Sequence, residues 1–383
     1  MCEKPDGCSY CWKIEAMGKD FVSDRHIKTT SIYNEERLAE IKQNGADLNV
    51  NPEYIEISFS NECNFKCGYC HPKASSRYYN EIKEHGPYSM SSKHRQDIDW
   101  FKIYKKEEEN PYVKAWWEWW PEVSKTLNIL RITGGEPLMH KSLWELFDKL
   151  EADPKPNIQI EVNTNMGVKP KLVEKLTETV LRLKEKNCIK SFKLYTSIDN
   201  WGPKAEYIRT GLDLKIWEKN LDYFLSNTPF SVIFMITFNI FSVTGFDSLL
   251  EKILEWRHKY NGIVEPQVRW QKVQFDTPHL KEPHMYDMNI LPKKEFMPYM
   301  EKHLQFMHDY QDDRDRTKFS NLEVEKFRRV VEYMRTTKMD PAQKDLARRD
   351  FYRWFTEHDK RRNCNLVETF PELEKFYNDY SSE

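Results

Sequence analysis

The chain has 383 residues, enough for one large core or two ordinary ones, and its 59 basic and 61 acidic side chains leave a net charge of −2. So even a balance points no field toward nucleic acid or an anionic membrane, and neither is expected as a partner. The opening residues lack an apolar signal region, and the longest apolar run, FSVIFMITFNIF, is about half a membrane span and carries Asn239, so a soluble cytoplasmic protein is expected.

In chain order, a polar first fifty residues bring Cys2, Cys8 and Cys11. Short β-branched or apolar runs then alternate with helical patterns. The strand readings are YIEISFS (54–60), NILRIT (128–133), IQIEVNT (158–164), SFKLYTSID (191–199), SVIFMITFNI (231–240) and PQVRWQKVQF (266–275). Between them, KSLWELFDKLEA, KPKLVEKLTETVLRLKEK, LKIWEKNLDYFLSN and SLLEKILEWRHKY repeat apolar residues at three- and four-residue spacing. Such alternation means βα units, a parallel sheet and right-handed crossovers. An α/β fold follows, a partial (βα)6 barrel of the TIM type. Residues 61–127 separate the first two strands, too long for a plain loop. After residue 276 only helical patterns remain, which predicts a helical cap. The expected divisions are 1–52, an N-terminal segment with an auxiliary metal site, 53–277, the barrel, and 278–383, the cap.

Six of the eight cysteines crowd into two short groups, which favours thiolate coordination over disulfides. In CNFKCGYC, directly after the first strand, Cys63, Cys67 and Cys70 have CX3CX2C spacing. A closed zinc site wants four ligands, so three thiols leave a position open. A cubane cluster on three thiolates keeps one iron free for a ligand, while zinc with a remote fourth ligand and plain buried cysteines remain alternatives. The second strand ends in TGGEP, where Gly134 and Gly135 let a ligand approach the backbone and Glu136 can accept from an ammonium. Ser197 and Asp199 end the fourth strand on one face, suited to vicinal hydroxyls, and Arg209 can fork onto a carboxylate. These are the handles of an amino acid joined to a nucleoside.

The combination of CX3CX2C, GGEP and the polar fourth strand resembles the radical S-adenosylmethionine (radical SAM) superfamily across about residues 54–275. The resemblance implies that Cys63, Cys67 and Cys70 hold a [4Fe-4S] cluster whose free iron chelates S-adenosyl-L-methionine. Gly134, Gly135 and Glu136 would receive its amino group, Ser197 and Asp199 its ribose, and Arg209 its carboxylate. Tyr69 would lie against the adenine, and Asn163 and Thr164 would add polar contacts or simply cap the third strand. Reductive cleavage of the cofactor would then yield a 5′-deoxyadenosyl radical that takes hydrogen from substrate, with a ferredoxin or flavodoxin as electron donor. Cys8, Cys11, Glu15, Gly18, Ser23 and Arg25 resemble a segment of twitch or auxiliary-cluster (SPASM-like) members. With Cys2 or Cys364 they would hold a second Fe-S cluster or zinc, against the alternative of a metal-free turn.

Trp116, Trp117, Trp119 and Trp120 read as core packing before a substrate-stacking wall, and His71 as a loop histidine before a proton donor. The run at 105–110 reads as a solvated charge stripe, and Cys188 as a small buried hydrophobe. Asn239, Arg269 and Gln271 are placed on the last two strands, where inward side chains would meet substrate. A peptide, amino-acid side chain or small metabolite is the expected substrate. A nucleoside or RNA, and a zinc-stabilised binding protein without activity, are the rivals.

Overall fold

The protein is described by a computed structural model covering residues 8–16, 23, 35–45, 48, 50–91, 96–104, 109–263 and 271–381. Six parallel strands form one open sheet in the order β1-β2-β3-β4-β5-β6. They are β1 (Tyr54–Ser58), β2 (Ile129–Thr133), β3 (Lys155–Thr164), β4 (Ile189–Ser197), β5 (Val232–Met235) and β6 (Val273–Asp276). Among the described residues the helices are α1 (Ser9–Glu15), α2 (Glu35–Asn44), α3 (Ser76–His85), α4 (Pro111–Val123), α5 (Lys141–Ala152), α6 (Pro170–Glu185), α7 (Pro203–Ile208), α8 (Leu214–Asn227), α9 (Phe246–Tyr260), α10 (Lys293–Asp309), α11 (Asn321–Thr336), α12 (Pro341–Arg362), α13 (Leu366–Thr369) and α14 (Glu374–Asn378). The sheet does not close, and no described helix is long and apolar enough to cross a membrane.

Alternation along the strands separates two faces. Ile132, Ile160, Val162, Leu194, Val232, Phe234 and Val273 are buried on one of them. There Trp217 of α8 packs on Phe234 with ring centroids 5.6 Å apart, and its indole N–H donates to Thr196 Oγ1 at 3.3 Å. The opposite face is polar and largely half-exposed, unlike the packed interior of a closed barrel. The register sets Glu56, Arg131, Glu161 and Lys193 level across four strands, alternating in charge. Arg131 donates to Asn163 Oδ1 at 2.9 Å and lies 3.9 Å from the centroid of Tyr195.

Several expectations are corrected. β5 stops at Met235 rather than residue 240, because Asn239 turns the chain: its Oδ1 accepts from Phe241 N at 3.0 Å and its Nδ2 donates to Thr237 O. The apolar run goes on as a buried turn, so Asn239 is a fully enclosed cap, off the strand and closed to substrate. Gln271 lies ahead of β6, which starts at Val273, and Arg269 lies outside the described residues. Of the expected charge stripe, residues 105–108 lie outside the described residues, Glu109 is exposed, and Asn110 caps α4 by accepting from Tyr112 N. Helices α1, α2 and α3 had no reading in the sequence; α2 buries none of its residues, so no apolar face marks it.

Candidate metal and cofactor site

The three-cysteine loop leaves the C-terminal end of β1 and is fastened at many points. Cys63 N donates to Ser76 Oγ at 3.1 Å, Asn64 Nδ2 to Gly167 O at 2.7 Å, Lys66 N to Thr210 O at 2.9 Å and Cys70 N to Cys67 O at 3.0 Å. Cys67 is buried, Cys63 and Cys70 are half-buried, and all three are free thiols. Burial pushes the Cys63 and Cys67 thiols up, so thiolates here need a positive centre; Arg209 acts the other way at Cys67. A tetrahedral zinc with Zn–S bonds of about 2.3 Å holds its sulfurs roughly 3.8 Å apart. Among the described residues, His358, Asp359 and Cys364 bring their ligand atoms near that spacing, all within 4.8 Å of one another.

The GGEP loop meets this loop directly. Glu136 N donates to Glu62 O at 2.7 Å, one residue before Cys63. Gly134 and Gly135 have φ of +81° and +55°, and a Cβ on Gly135 would lie 2.3 Å from Glu62 O. Only glycine allows both conformation and approach. Glu136 is 1% exposed. Its Oε1 accepts from Thr164 Oγ1 at 2.7 Å and Leu138 N at 3.1 Å, and its Oε2 from Asn165 N at 2.6 Å. Burial pushes its pKa up to about 7 despite these donors. A carboxylate has about four acceptor positions, so one remains for a further donor.

Asp199, Arg209 and Tyr69 form a second buried group. Asp199 Oδ1 accepts from Arg209 Nη2 at 2.9 Å and Thr237 N at 2.8 Å, and its Oδ2 from Tyr69 OH at 2.6 Å. Asp199 is thus enclosed by protein donors, whereas Ser197 stays half-exposed on the polar face. Arg209 is 6% exposed, and its Nε is buried without a partner among the described residues. An orphan guanidinium donor suits a carboxylate, and the spare acceptor position of Glu136 beside the close-approaching glycines suits an ammonium group. Asn163 faces the polar side and accepts from Arg131, while Thr164 turns to the buried side and reaches Glu136.

Asn165 had no role in the sequence reading. Its Nδ2 donates to Asn64 Oδ1 at 2.7 Å and lies 3.9 Å from Cys63 Sγ, so one residue links Glu136 to the cysteine loop. Its position directly after the expected Asn163 and Thr164 was the available signal. His71 Nδ1 accepts from Lys73 N as a helix cap, and Trp116 and Trp120 are core. Trp117 stacks on Phe59 at 5.9 Å and lines a cavity of about 1130 Å³ beside Asn61 and Glu62 that includes none of the three cysteines. Cys188 is buried.

At the N-terminus Cys8 is exposed and Cys11 half-buried at the start of α1, and Ser23 Oγ donates to Glu15 Oε1 at 2.5 Å. Cys2, Gly18 and Arg25 lie outside the described residues. Cys364 belongs to a polar hub in which Asp359 accepts from Tyr207 OH at 2.6 Å and Leu366 N at 2.6 Å, with Cys364 Sγ at 3.4 Å.

The family model described as "Radical SAM superfamily" matches residues 57–251. A GTP 3′,8-cyclase of Sulfurovum sp. is 28% identical over 155 residues, covering 40% of this chain and 36% of that protein. A GTP 3′,8-cyclase of Campylobacter jejuni is 32% identical over 125 residues, covering 33% and 30%. The chain thus spans about a third of the length of these curated relatives. Streptococcus suis SuiB, solved bound to S-adenosylmethionine, aligns over 79% of this chain and 58% of that chain with a TM-score of 0.43 and 17% identity.

Proposed function

Because the chain belongs to the radical SAM superfamily, we propose that it is an enzyme that takes a hydrogen atom from a peptide or amino-acid side chain. Cys63, Cys67 and Cys70 hold the [4Fe-4S] cluster, Glu136 and the Gly134–Gly135 backbone receive the amino group of S-adenosyl-L-methionine, and Arg209 Nε its carboxylate. When bound, the cluster and cofactor supply a 5′-deoxyadenosyl radical. The chain's own groups bind, orient and exclude water. Tyr69 and Ser197 lie at the same end of the sheet and line the adenosyl part. Asp199 acts through Arg209, which it keeps charged against burial. The observation that carries this reading is the bond from Glu136 N to Glu62 O, which makes the metal loop and the ammonium acceptor one unit.

The GTP 3′,8-cyclase relatives raise a nucleotide as the second reading. Against it, the level row Glu56, Arg131, Glu161 and Lys193 balances its charges, and a triphosphate needs an excess of cations. A peptide group or small polar metabolite suits such a row better. The barrel region 53–277 carries the chemistry, 278–383 caps it, and the 1–52 segment uses Cys8 and Cys11 for a second cluster or zinc. A ferredoxin or flavodoxin supplies the electron, and the cytoplasm is the compartment.

The test is iron and acid-labile sulfide after anaerobic reconstitution, then dithionite and S-adenosylmethionine with assay for 5′-deoxyadenosine. About four irons with 5′-deoxyadenosine are expected from one cluster, and about eight from two. Zinc without iron returns the protein to the binding-protein reading.

A further inference from the structure

The last long helix reaches back onto the three-cysteine loop. Lys66, between Cys63 and Cys67, donates to Glu81 Oε1 at 2.6 Å. Arg362, at the end of α12, donates from Nη2 to Glu81 Oε2 at 2.7 Å and from Nη1 to Thr210 Oγ1 at 2.9 Å. Thr210 O in turn accepts from Lys66 N. Arg362 therefore grips both partners of Lys66, and its side chain is wholly buried. One turn pair earlier, Trp354 covers Gly68: a Cβ there would lie 2.2 Å from the indole Cη2 and 2.2 Å from Tyr286 Oη. Trp354 is fully buried, and its indole N–H has no partner among the described residues.

We propose that Arg362 is a positioning residue for the cluster, holding the CX3CX2C loop in its iron-binding shape through Glu81 and Thr210, with Trp354 as the lid over Gly68. This rests on the loop holding iron. A guanidinium can bond Glu81 and Thr210 at once because its donors form a rigid fork, whereas a lysine supplies charge at one point. Outer-shell partners of this kind commonly change metal retention by about 10-fold or more.

The test compares the reconstituted full chain with Arg362→Gln, Arg362→Lys and the exposed control Lys375→Ala. Iron release to a chelator is timed well below every melting temperature, and the reduced cluster is followed by electron paramagnetic resonance. Arg362→Gln is expected to release iron about 10-fold faster, with a changed spectrum, Arg362→Lys to fall between it and wild type, and the control to match wild type. Equal release from Arg362→Gln and wild type overturns the proposal. If Arg362→Gln does not fold, Arg362→Lys decides: wild-type release and spectrum overturn it, and faster release with a changed spectrum supports it. A wild-type chain that takes up no iron sinks the cluster reading itself, and this inference with it.

Discussion

Thr164, the last residue of β3, donates a hydrogen bond from its hydroxyl to Glu136 Oε1 at 2.7 Å, joining the third strand to the loop after the second. Glu136 binds an ammonium only when ionised, and burial sets that ionisation at about 7. Cofactor affinity is therefore expected to rise with pH through about 7. Thr164→Val removes a donor that favours the charged form, so the midpoint moves upward, and Glu136→Gln flattens the profile and weakens binding about 10-fold with iron content unchanged. Calorimetric titration at several pH values, with iron assayed alongside, checks this. Loss of iron from Glu136→Gln means the loop is misassigned. For stability the sign is opposite: the folded chain holds this proton more tightly than the unfolded one, whose pKa is near 4.5, so the contribution falls as pH rises from there to about 7.

Gly134 sits at φ +81°, and an added Cβ would overlap Ser58 Oγ, 1.6 Å away. Gly134→Ala is expected to cost about 2–4 kcal/mol from strain and overlap together. Ser58→Gly in the same chain removes the overlap and leaves the strain, so about half returns. A double-mutant cycle by denaturant unfolding reads the coupling; simple additivity contradicts the close approach.

Asp199→Ala leaves the Arg209 guanidinium buried with no counter-charge, a change expected to cost about 3–5 kcal/mol. Tyr69→Phe keeps the ring and loses one bond to the same carboxylate, for about 1–3 kcal/mol. Chemical denaturation of the metal-free chain ranks the two, and a larger loss in Tyr69→Phe goes against Asp199 as the hub.

Glu81 is under opposing influences: burial raises its pKa, but Arg362 and then Lys66 hold it down at about 2. The folded value lies below the unfolded one near 4.5, so its stabilisation is present above about 4.5 and lost as pH falls toward about 2. The shift corresponds to roughly 3 kcal/mol at most. Glu81→Gln is expected to flatten the acid limb of stability, measured as melting temperature against pH in the metal-free chain. An acid limb as steep as wild type's rules the pair out as a source of acid sensitivity.

By itself the sequence determined the six strand segments in order, the bounds of α5 and α8, the helical character of the chain after residue 276, the three-thiol loop and the GGEP turn. Each is local: side-chain period selects strand or helix, and glycine or cysteine spacing acts within a few residues. Tertiary structure alone decided how these pieces share partners. Asp199, read as a diol binder, is enclosed by Arg209, Thr237 N and Tyr69, because chain ends brought together by parallel strands satisfy one another's charges. The fifth strand ended early because a buried turn at Asn239 looks as apolar as a strand. The grip of Arg362 on Glu81 spans 281 positions, and Trp354 packs over Gly68 from just as far along the chain. Neither carries a local signal, since the burial that makes such a contact strong exists only once the last helix has docked.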